Sequence, residues 1–252
     1  MSNNPDILQQ MFENPNALRR DLPKRFYEAA SIEGAEGAFA VLLDGRPVKT
    51  PSKKALRLPN RSVAEAVRGE WEAQGERIDP ATMPATRLAN TVIDAVAEDP
   101  GIVLAEVPRY AETDLLFYRA GHPDELVERQ RRAWDPLLDW AQKRLETRFV
   151  LTEGVMHVAQ PPEALSAFAM AVEPITDPWT VAGLQQATTL TGSAILALAL
   201  YEGRLGHVEA WDLSRVDEAW NIERWGRDEE ADRMAAFKKA DLAAAALFMG
   251  RG

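Results

Sequence analysis

The segment 178–201 contains no charged residue, and this feature constrains the fold more than any other part of the chain. A helix of that length could cross a bilayer. The segment also carries hydroxyl and amide side chains that are costly in lipid, namely Gln185, Gln186, Thr188, Thr189, Thr191 and Ser193. The sequence therefore predicts a buried central helix within a helical domain and no insertion into a membrane.

The composition narrows the range of partners. With 252 residues, of which 46% are hydrophobic, the chain can bury one large core or two modest ones. Its net charge of −10 argues against broad affinity for nucleic acid or for anionic membranes. The sequence therefore predicts no nucleic-acid partner and favours a protein partner.

The residues needed for common catalytic and cofactor sites are scarce. There is no cysteine, so thiolate metal sites and thiol nucleophiles are excluded. The histidines, His122, His157 and His207, lack the spacing that places two ligands on one helix face. No glycine-rich phosphate loop or nucleophile elbow occurs in the sequence. We therefore predict no metal site, no cofactor and no catalytic residue.

The first half of the chain contains the strand signals. Phe39, Val41 and Leu43 lie at alternate positions, and Asp44-Gly45 predicts a tight hairpin turn. Residues 46–50 return as a strand, and residues 55–58 form a short third one. The apolar run 115–118 predicts a further strand that returns to this sheet.

Helical spacing takes over in the rest of the sequence. Ser62 and Glu65 predict a capping box at the first helix, and two more helices are expected from Pro84 and over 100–113. From Pro123 the pattern is helical almost to the end, with about five helices expected there.

This order of elements predicts an α+β fold. It consists of a small N-terminal α+β domain with a short antiparallel sheet, followed by an all-α C-terminal domain. The predicted boundaries are a loosely ordered lead segment over 1–24, the α+β domain over 25–120 and the helical domain over 121–252.

The segment 217–226 combines acidic and aromatic residues on one predicted amphipathic helix. A rigid indole beside a carboxylate suits a protein surface, since the ring buries much area at little entropic cost. The candidate partner-binding residues are Asp217, Glu218, Trp220, Asn221, Glu223 and Trp225. An ordinary solvated face and a catalytic acid pair are the alternatives, although the spacing of Glu218 and Glu223 separates them around a helix.

The hairpin region is the one locally basic stretch, with Arg46, Lys49, Lys53, Lys54 and Arg57. These residues could bind RNA or a phosphate. No aromatic stacking platform is interleaved with them, so we prefer an exposed sheet edge on which lysines prevent edge-to-edge pairing. A hydrolase using the acidic cluster and a small RNA-binding adaptor using this hairpin stay open as alternatives.

Several stretches, in order along most of the chain, resemble one known family. They are DGRPVKTP at 44–51, EWEAQ at 70–74, IDP at 78–80, MPAT at 83–86, the segment 134–140, TGS at 191–193 and the segment 217–226. Together they resemble the assembly chaperones that act on the α subunit of the F-type ATP synthase catalytic head. The resemblance extends from about Arg25 to the end of the chain.

The resemblance implies a non-enzymatic function. The family holds the new α subunit and shields the surface that later meets the β subunit. The family's C-terminal motif, Glu-Glu-x-aromatic-Gln followed by Trp-Gly, places a required acid at Asp217 or Glu218. This chain departs from the motif at Asp217, Trp220 and Asn221, so the resemblance leaves open which carboxylate contacts the partner.

The start of the chain bears on its location. Residues 1–6 lack the features of a secretory signal, and the start is not rich in arginine as an import presequence would be. Eukaryotic members of the resembled family work in the mitochondrial matrix. We therefore expect a bacterial member that acts in the cytoplasm as a monomer.

Overall fold

The computed structural model describes residues 22–35 and 37–252. A small antiparallel sheet forms first, with β1 (Ala30–Glu33), β2 (Phe39–Leu43), β3 (Arg46–Pro47) and β4 (Arg57–Leu58). Strand β2 is central, because it pairs with the other three strands and all five of its residues are buried. The predicted hairpin turn is confirmed, with positive φ angles of 48° at Asp44 and 78° at Gly45. Residues 1–21 of the predicted lead segment lie outside the described residues.

Helix α1 (Arg61–Glu72) packs on the sheet through Val63, Ala64 and Val67. The predicted capping box of Ser62 and Glu65 is wrong. The Asn60 side chain caps the helix instead, since its Oδ1 accepts a hydrogen bond from the Val63 N–H at 2.9 Å. Asparagine is one of the strongest N-cap residues, and its place immediately before the first turn leaves Ser62 inside the helix.

Glu70 joins α1 to helix α2 (Pro84–Asp94). Its carboxylate accepts hydrogen bonds from the Ala85 N–H at 2.6 Å, the Thr86 N–H at 2.7 Å and the Thr86 hydroxyl at 2.6 Å. The N-cap residue of α2, Met83, makes no side-chain cap. Glu70 therefore satisfies the free N–H groups of α2 from another helix. Burial raises the pKa of Glu70 above its usual value, against the effect of these hydrogen bonds.

The next elements are short. Helices α3 (Pro100–Leu104) and α4 (Val107–Tyr110) replace the single helix predicted over 100–113, and 3₁₀ turns cover Pro80–Thr82 and Val96–Glu98. The predicted strand at 115–118 is wrong, because Leu115–Phe117 form a 3₁₀ turn. Only Tyr118–Arg119 are extended, as β5, and they pair in parallel with β6 (Thr152–Glu153) and not with the N-terminal sheet.

Seven helices follow in the described chain, where about five were expected. They are α5 (Asp124–Arg144), α6 (Pro162–Val172), α7 (Pro178–Thr191), α8 (Ala194–Tyr201), α9 (His207–Ser214), α10 (Val216–Trp225) and α11 (Glu229–Phe248). The fold class is α+β, as predicted. A division into two domains near residue 120 stays a prediction.

The charge-free segment is largely buried, as predicted, but it is not one helix. It forms α7 and α8, which are separated at Gly192, where φ is 66°. The first seven residues of α8 are all buried. No helix in residues 22–35 and 37–252 has the length and apolar character that a membrane crossing requires.

A buried carboxylate ties α8 to the preceding part of the chain. Asp114 is fully buried, and its oxygens accept hydrogen bonds from the Leu116 N–H and the Ile195 N–H, each at 3.0 Å. One side chain therefore caps both the 3₁₀ turn and α8. This capping explains why the apolar run 115–118 winds into a turn and does not extend as a strand. Burial raises the pKa of Asp114 to about 6.

Asp114→Asn should lower the free energy of unfolding by about 2 kcal/mol at pH 7, since an amide cannot accept both N–H bonds equally well. The pKa of Asp114 is about 6 in the folded chain and about 3.9 in an unfolded chain, so between pH ~4 and ~6 the folded chain holds a proton that the unfolded chain has lost. The stabilisation from this proton is complete below pH ~4 and is lost as the pH rises through ~6. Urea unfolding at several pH values should show the gap between wild type and variant narrowing from pH ~4 to ~7. A widening gap would mean that hydrogen bonding outweighs desolvation.

Gly183→Ala tests the close contact of α7 with α11. A Cβ at this position would lie 2.6 Å from the Ala245 carbonyl oxygen and 2.8 Å from the Met249 Cγ. We expect a loss of about 1–3 kcal/mol in thermal or urea unfolding. Gly69→Ala is the matched control, because it lies inside α1 with no atom within 4 Å of the new Cβ. It should stabilise by about 0.5–1 kcal/mol, and equal effects of the two variants would contradict the packing argument.

Candidate partner-binding site on helix α10

Helix α10 carries all six predicted site residues and packs against the first half of α5. The Arg129 guanidinium donates two hydrogen bonds to the Glu223 carboxylate, both at 2.7 Å. Arg224 forms a second ion pair with Glu125. The hydrogen bonds from Arg129 hold the pKa of Glu223 below its usual value. These two pairs fix the C-terminal turns of α10 on α5.

Asp217 is half-buried and is bonded to α5. Its Oδ1 accepts a hydrogen bond from Gln130 Nε2 at 2.7 Å, and Gln130 is 2% exposed. Gln130 Oε1 in turn accepts the Ala120 N–H at 2.8 Å. Asp217 thus connects α10 through α5 to the end of β5, and this role is structural.

Helix α5, on which α10 packs, is held in the core by Trp134, the largest fully buried side chain in the described residues. Its indole N–H donates to the Leu213 carbonyl at 2.8 Å, just before α10. The Arg119 guanidinium lies 5.2 Å from the centre of the Trp134 ring and pairs with Asp135 at 2.9 Å. Asp135 lies inside α5, which continues through Pro136.

Glu218 is the acid of α10 with the weakest internal contact. Its side chain is 51% exposed and lies 3.8 Å from the Arg215 guanidinium, beyond hydrogen-bonding distance. A carboxylate with this exposure can accept hydrogen bonds from a partner without breaking buried ones. Among the three predicted acids, Glu218 is therefore the one best placed to contact another molecule.

The tryptophans lie together at the end of the helix. Trp220 and Trp225 make an edge-to-face contact with ring centres 5.7 Å apart, and the Arg224 guanidinium lies 4.6 Å from the centre of the Trp220 ring. Trp225 is 74% exposed, and Asn221 is exposed beside it. The result is a rigid aromatic surface whose outer ring faces solvent.

One basic residue of the hairpin region, Lys54, is bound by other residues of the same chain. Lys54 Nζ donates to the Ile93 carbonyl at 3.1 Å and pairs with Glu98 at 3.3 Å. In the part of the chain that the structure describes, no cluster of three His, Asp or Glu side chains could hold a metal ion.

Sequence reasoning missed two features that the structure reveals. The first is the capping role of Glu70, which the spacing in sequence could not show. The second is the exposure of Met234 and Phe237 on α11. Two large apolar residues three apart in a strongly charged stretch were the available signal for the second feature.

This chain is similar in sequence and in fold to known proteins. Residues 24–142 match the family model described as ATP12 chaperone protein. The structure of Atp12 from Paracoccus denitrificans is 43% identical with a TM-score of 0.78, covering 90% of this chain and 97% of that one. A chaperone candidate from Agrobacterium tumefaciens is 45% identical with a TM-score of 0.83, covering 99% and 92%. The mitochondrial protein atp12 of Schizosaccharomyces pombe is 22% identical over 220 residues, which are 82% of this chain and 75% of that protein.

These similarities first define a class, the chaperones of ATP synthase assembly. The identity and coverage with the P. denitrificans and A. tumefaciens structures then decide the family. The chain belongs to the ATP12 chaperone family.

The different roles of the two neighbouring acids give a testable contrast. Asp217→Ala should lower the free energy of unfolding by about 1–2 kcal/mol, because Gln130 Nε2 is left buried without its acceptor. Glu218→Ala should change it by no more than about 0.5 kcal/mol, since the side chain is largely exposed. Urea unfolding of both variants checks this. A larger loss for Glu218→Ala would contradict the division of roles.

Proposed function

We propose that this chain binds the unassembled α subunit of the F-type ATP synthase and shields its β-facing surface until the catalytic head assembles. Membership of the ATP12 chaperone family supports the general role. The motif resemblance supports the choice of α. The observation that carries the proposal is that Glu218 and Trp225 are both exposed on a helix fixed by two ion pairs and by a half-buried hydrogen bond.

The physics of ring assembly explains the need for such a protein. A subunit removed from an alternating ring exposes an apolar interface, which would otherwise self-associate. A temporary partner must cover that surface and still release it. We therefore infer that the β subunit displaces this chain by competing for the same surface of α, which requires no nucleotide.

Within the site, Glu218 is assigned the contact with a basic group on α. Trp225 supplies an apolar contact about two turns further along the helix, and Trp220 with Asn221 forms the rest of the surface. Asp217 and Glu223 position the helix through Gln130 and Arg129. A rigid helix loses little conformational entropy on binding, so this cost subtracts little from the binding free energy of its few contacts.

The remaining parts of the proposal follow from the same role. A shield of one subunit needs no catalytic group, so we infer that the chain is not an enzyme. We further infer that it acts as a monomer and in the compartment where the ring assembles. For a bacterial chain this is the cytoplasm, and for the S. pombe relative it is the mitochondrion that its name states.

Co-expression tests the partner. The chain is produced with its cognate α subunit or with β, and size-exclusion chromatography shows which subunit stays soluble and co-migrates. We expect a complex with α alone. A complex with β alone, or aggregation of α as without the chaperone, would overturn the proposal.

Charge reversal tests the site. Glu218→Lys should reduce the recovery of α at least tenfold, since it places two positive groups together in the interface. Glu209→Lys is the control, because it changes the net charge equally at an exposed position of α9. Equal recovery of α with both variants, each with a wild-type melting curve, would remove Glu218 from the interface.

A further inference from the structure

The segment over 150–160, between α5 and α6, exposes a group of large apolar side chains. Val155 is 92% exposed and Met156 is 75% exposed, and Val150 and Leu151 are exposed as well. These are four of the eleven large hydrophobic side chains exposed in the described residues. Single exposed apolar side chains are ordinary, but a group of them marks a contact surface. We name this segment, which includes β6, the 150–160 loop.

The base of the 150–160 loop is fixed by buried side chains. Gln160 Oε1 accepts a hydrogen bond from the Val150 N–H at 2.9 Å, and Gln160 Nε2 donates to the Val150 carbonyl at 2.8 Å. Phe149, just before the loop, stacks on Phe117 with ring centres 5.0 Å apart. A loop with fixed ends loses less conformational entropy on binding than a free one. The apolar tip at Val155 and Met156 is therefore presented to solvent from a firm base.

Three successive hydrogen bonds connect the loop to helix α10. The Gly154 N–H donates to the Arg119 carbonyl at 2.9 Å. In the same peptide group, the Ala120 N–H donates to Gln130 at 2.8 Å, and Gln130 in turn donates to Asp217 at 2.7 Å. The oxygen and nitrogen of each amide group on this path are about 2.3 Å apart, so Gly154 N lies within about 13 Å of Asp217 Oδ1.

This separation places the loop within the area of an interface centred on α10. A stable complex buries about 800 Å² on each partner, which corresponds to a patch about 30 Å across. Helix α10 has ten residues, several of them bound to α5, and cannot supply this area alone. Four apolar side chains of a loop cannot supply it alone either. The partner that covers α10 is therefore the one that can also cover the loop.

The side chains of the loop and of α10 follow a definite order. The loop joins α10 at Asp217, in the first turn, where Glu218 is exposed. Trp225 ends the helix about 12 Å further along, at 1.5 Å per residue. The combined surface thus presents apolar side chains, then a carboxylate and then an indole. A complementary surface carries a basic group between two apolar areas.

We propose that the 150–160 loop is a second contact site for the unassembled α subunit, whose β-facing surface accepts Val155 and Met156 beside the basic group that pairs with Glu218. This inference rests on the proposed function. Residues 154–158 contain no Asp, Glu, Lys or Arg, so covering the tip buries no such charge. The flexible side chain of methionine adapts to an irregular apolar surface.

Matched methionine variants test the loop. Met156→Gln removes an apolar side chain from the tip, and Met170→Gln makes the same change on α6, where the side chain is 69% exposed. Labelled α is released from each purified complex in the presence of excess unlabelled wild-type chaperone. We expect release at least fivefold faster, or no recoverable complex, for Met156→Gln and a change under twofold for Met170→Gln. Equal release rates for the two variants would overturn the inference.

Photo-crosslinking identifies what covers the tip. Val155→p-benzoylphenylalanine is made in the full chain, and Met170→p-benzoylphenylalanine is the control. In the complex, position 155 should crosslink to α at least fivefold more than position 170 does. Crosslinks from position 155 to a second copy of the chain, or to residues 1–21 of the same chain, that persist when α is bound would overturn the inference.

The two proposals fail in different ways. If wild type forms no complex with α, the proposed function fails and this inference with it. If the complex forms and Met156→Gln releases α as slowly as wild type, only the loop is excluded. Both methionine variants should keep the wild-type circular dichroism spectrum and melting temperature, because the replaced side chains are exposed.

Discussion

The close contact between α7 and the packed half of α11 is the constraint on which the other elements depend. Gly183 has no side chain, and a single added carbon would collide with the α11 backbone. Because α7 carries no charge, it can also contact α2, α3 and α8 within one apolar core. A charged residue on any of these faces would have to be buried without a partner. The buried position of α7 therefore explains why this stretch of the sequence carries no charge.

Buried polar side chains connect the elements around that core. Glu70 caps a neighbouring helix, Asp114 caps two elements at once, and Gln130 bridges α10 and β5. Each one satisfies backbone or side-chain groups that would otherwise be buried without hydrogen bonds. Of these three residues, Gln130 is the one that holds α10 on α5, together with the ion pairs Arg129–Glu223 and Arg224–Glu125.

Local sequence signals were sufficient where the determining contacts are local. The Asp44-Gly45 turn and the burial of 178–201 follow from residue type and pattern alone. The run 115–118 was misassigned because its conformation depends on the Asp114 caps, one of which reaches residue 195. Likewise, the sequence places the six candidate residues on one helix, as the structure shows, but it does not give their separate contacts. Asp217 differs from Glu218 because it meets Gln130, which is 87 residues away.

The acids at the start of α11 have a consequence for the free chain. Exposed apolar residues such as Met234 and Phe237 would ordinarily favour contact between two copies. The acids of the first turn are followed by Arg233, Lys238 and Lys239, so two copies of this helix repel each other when parallel and attract each other when antiparallel. Salt screens both effects, since the Debye length is about 10 Å at 0.1 M ionic strength. The orientation in which two free chains meet is therefore coupled to ionic strength.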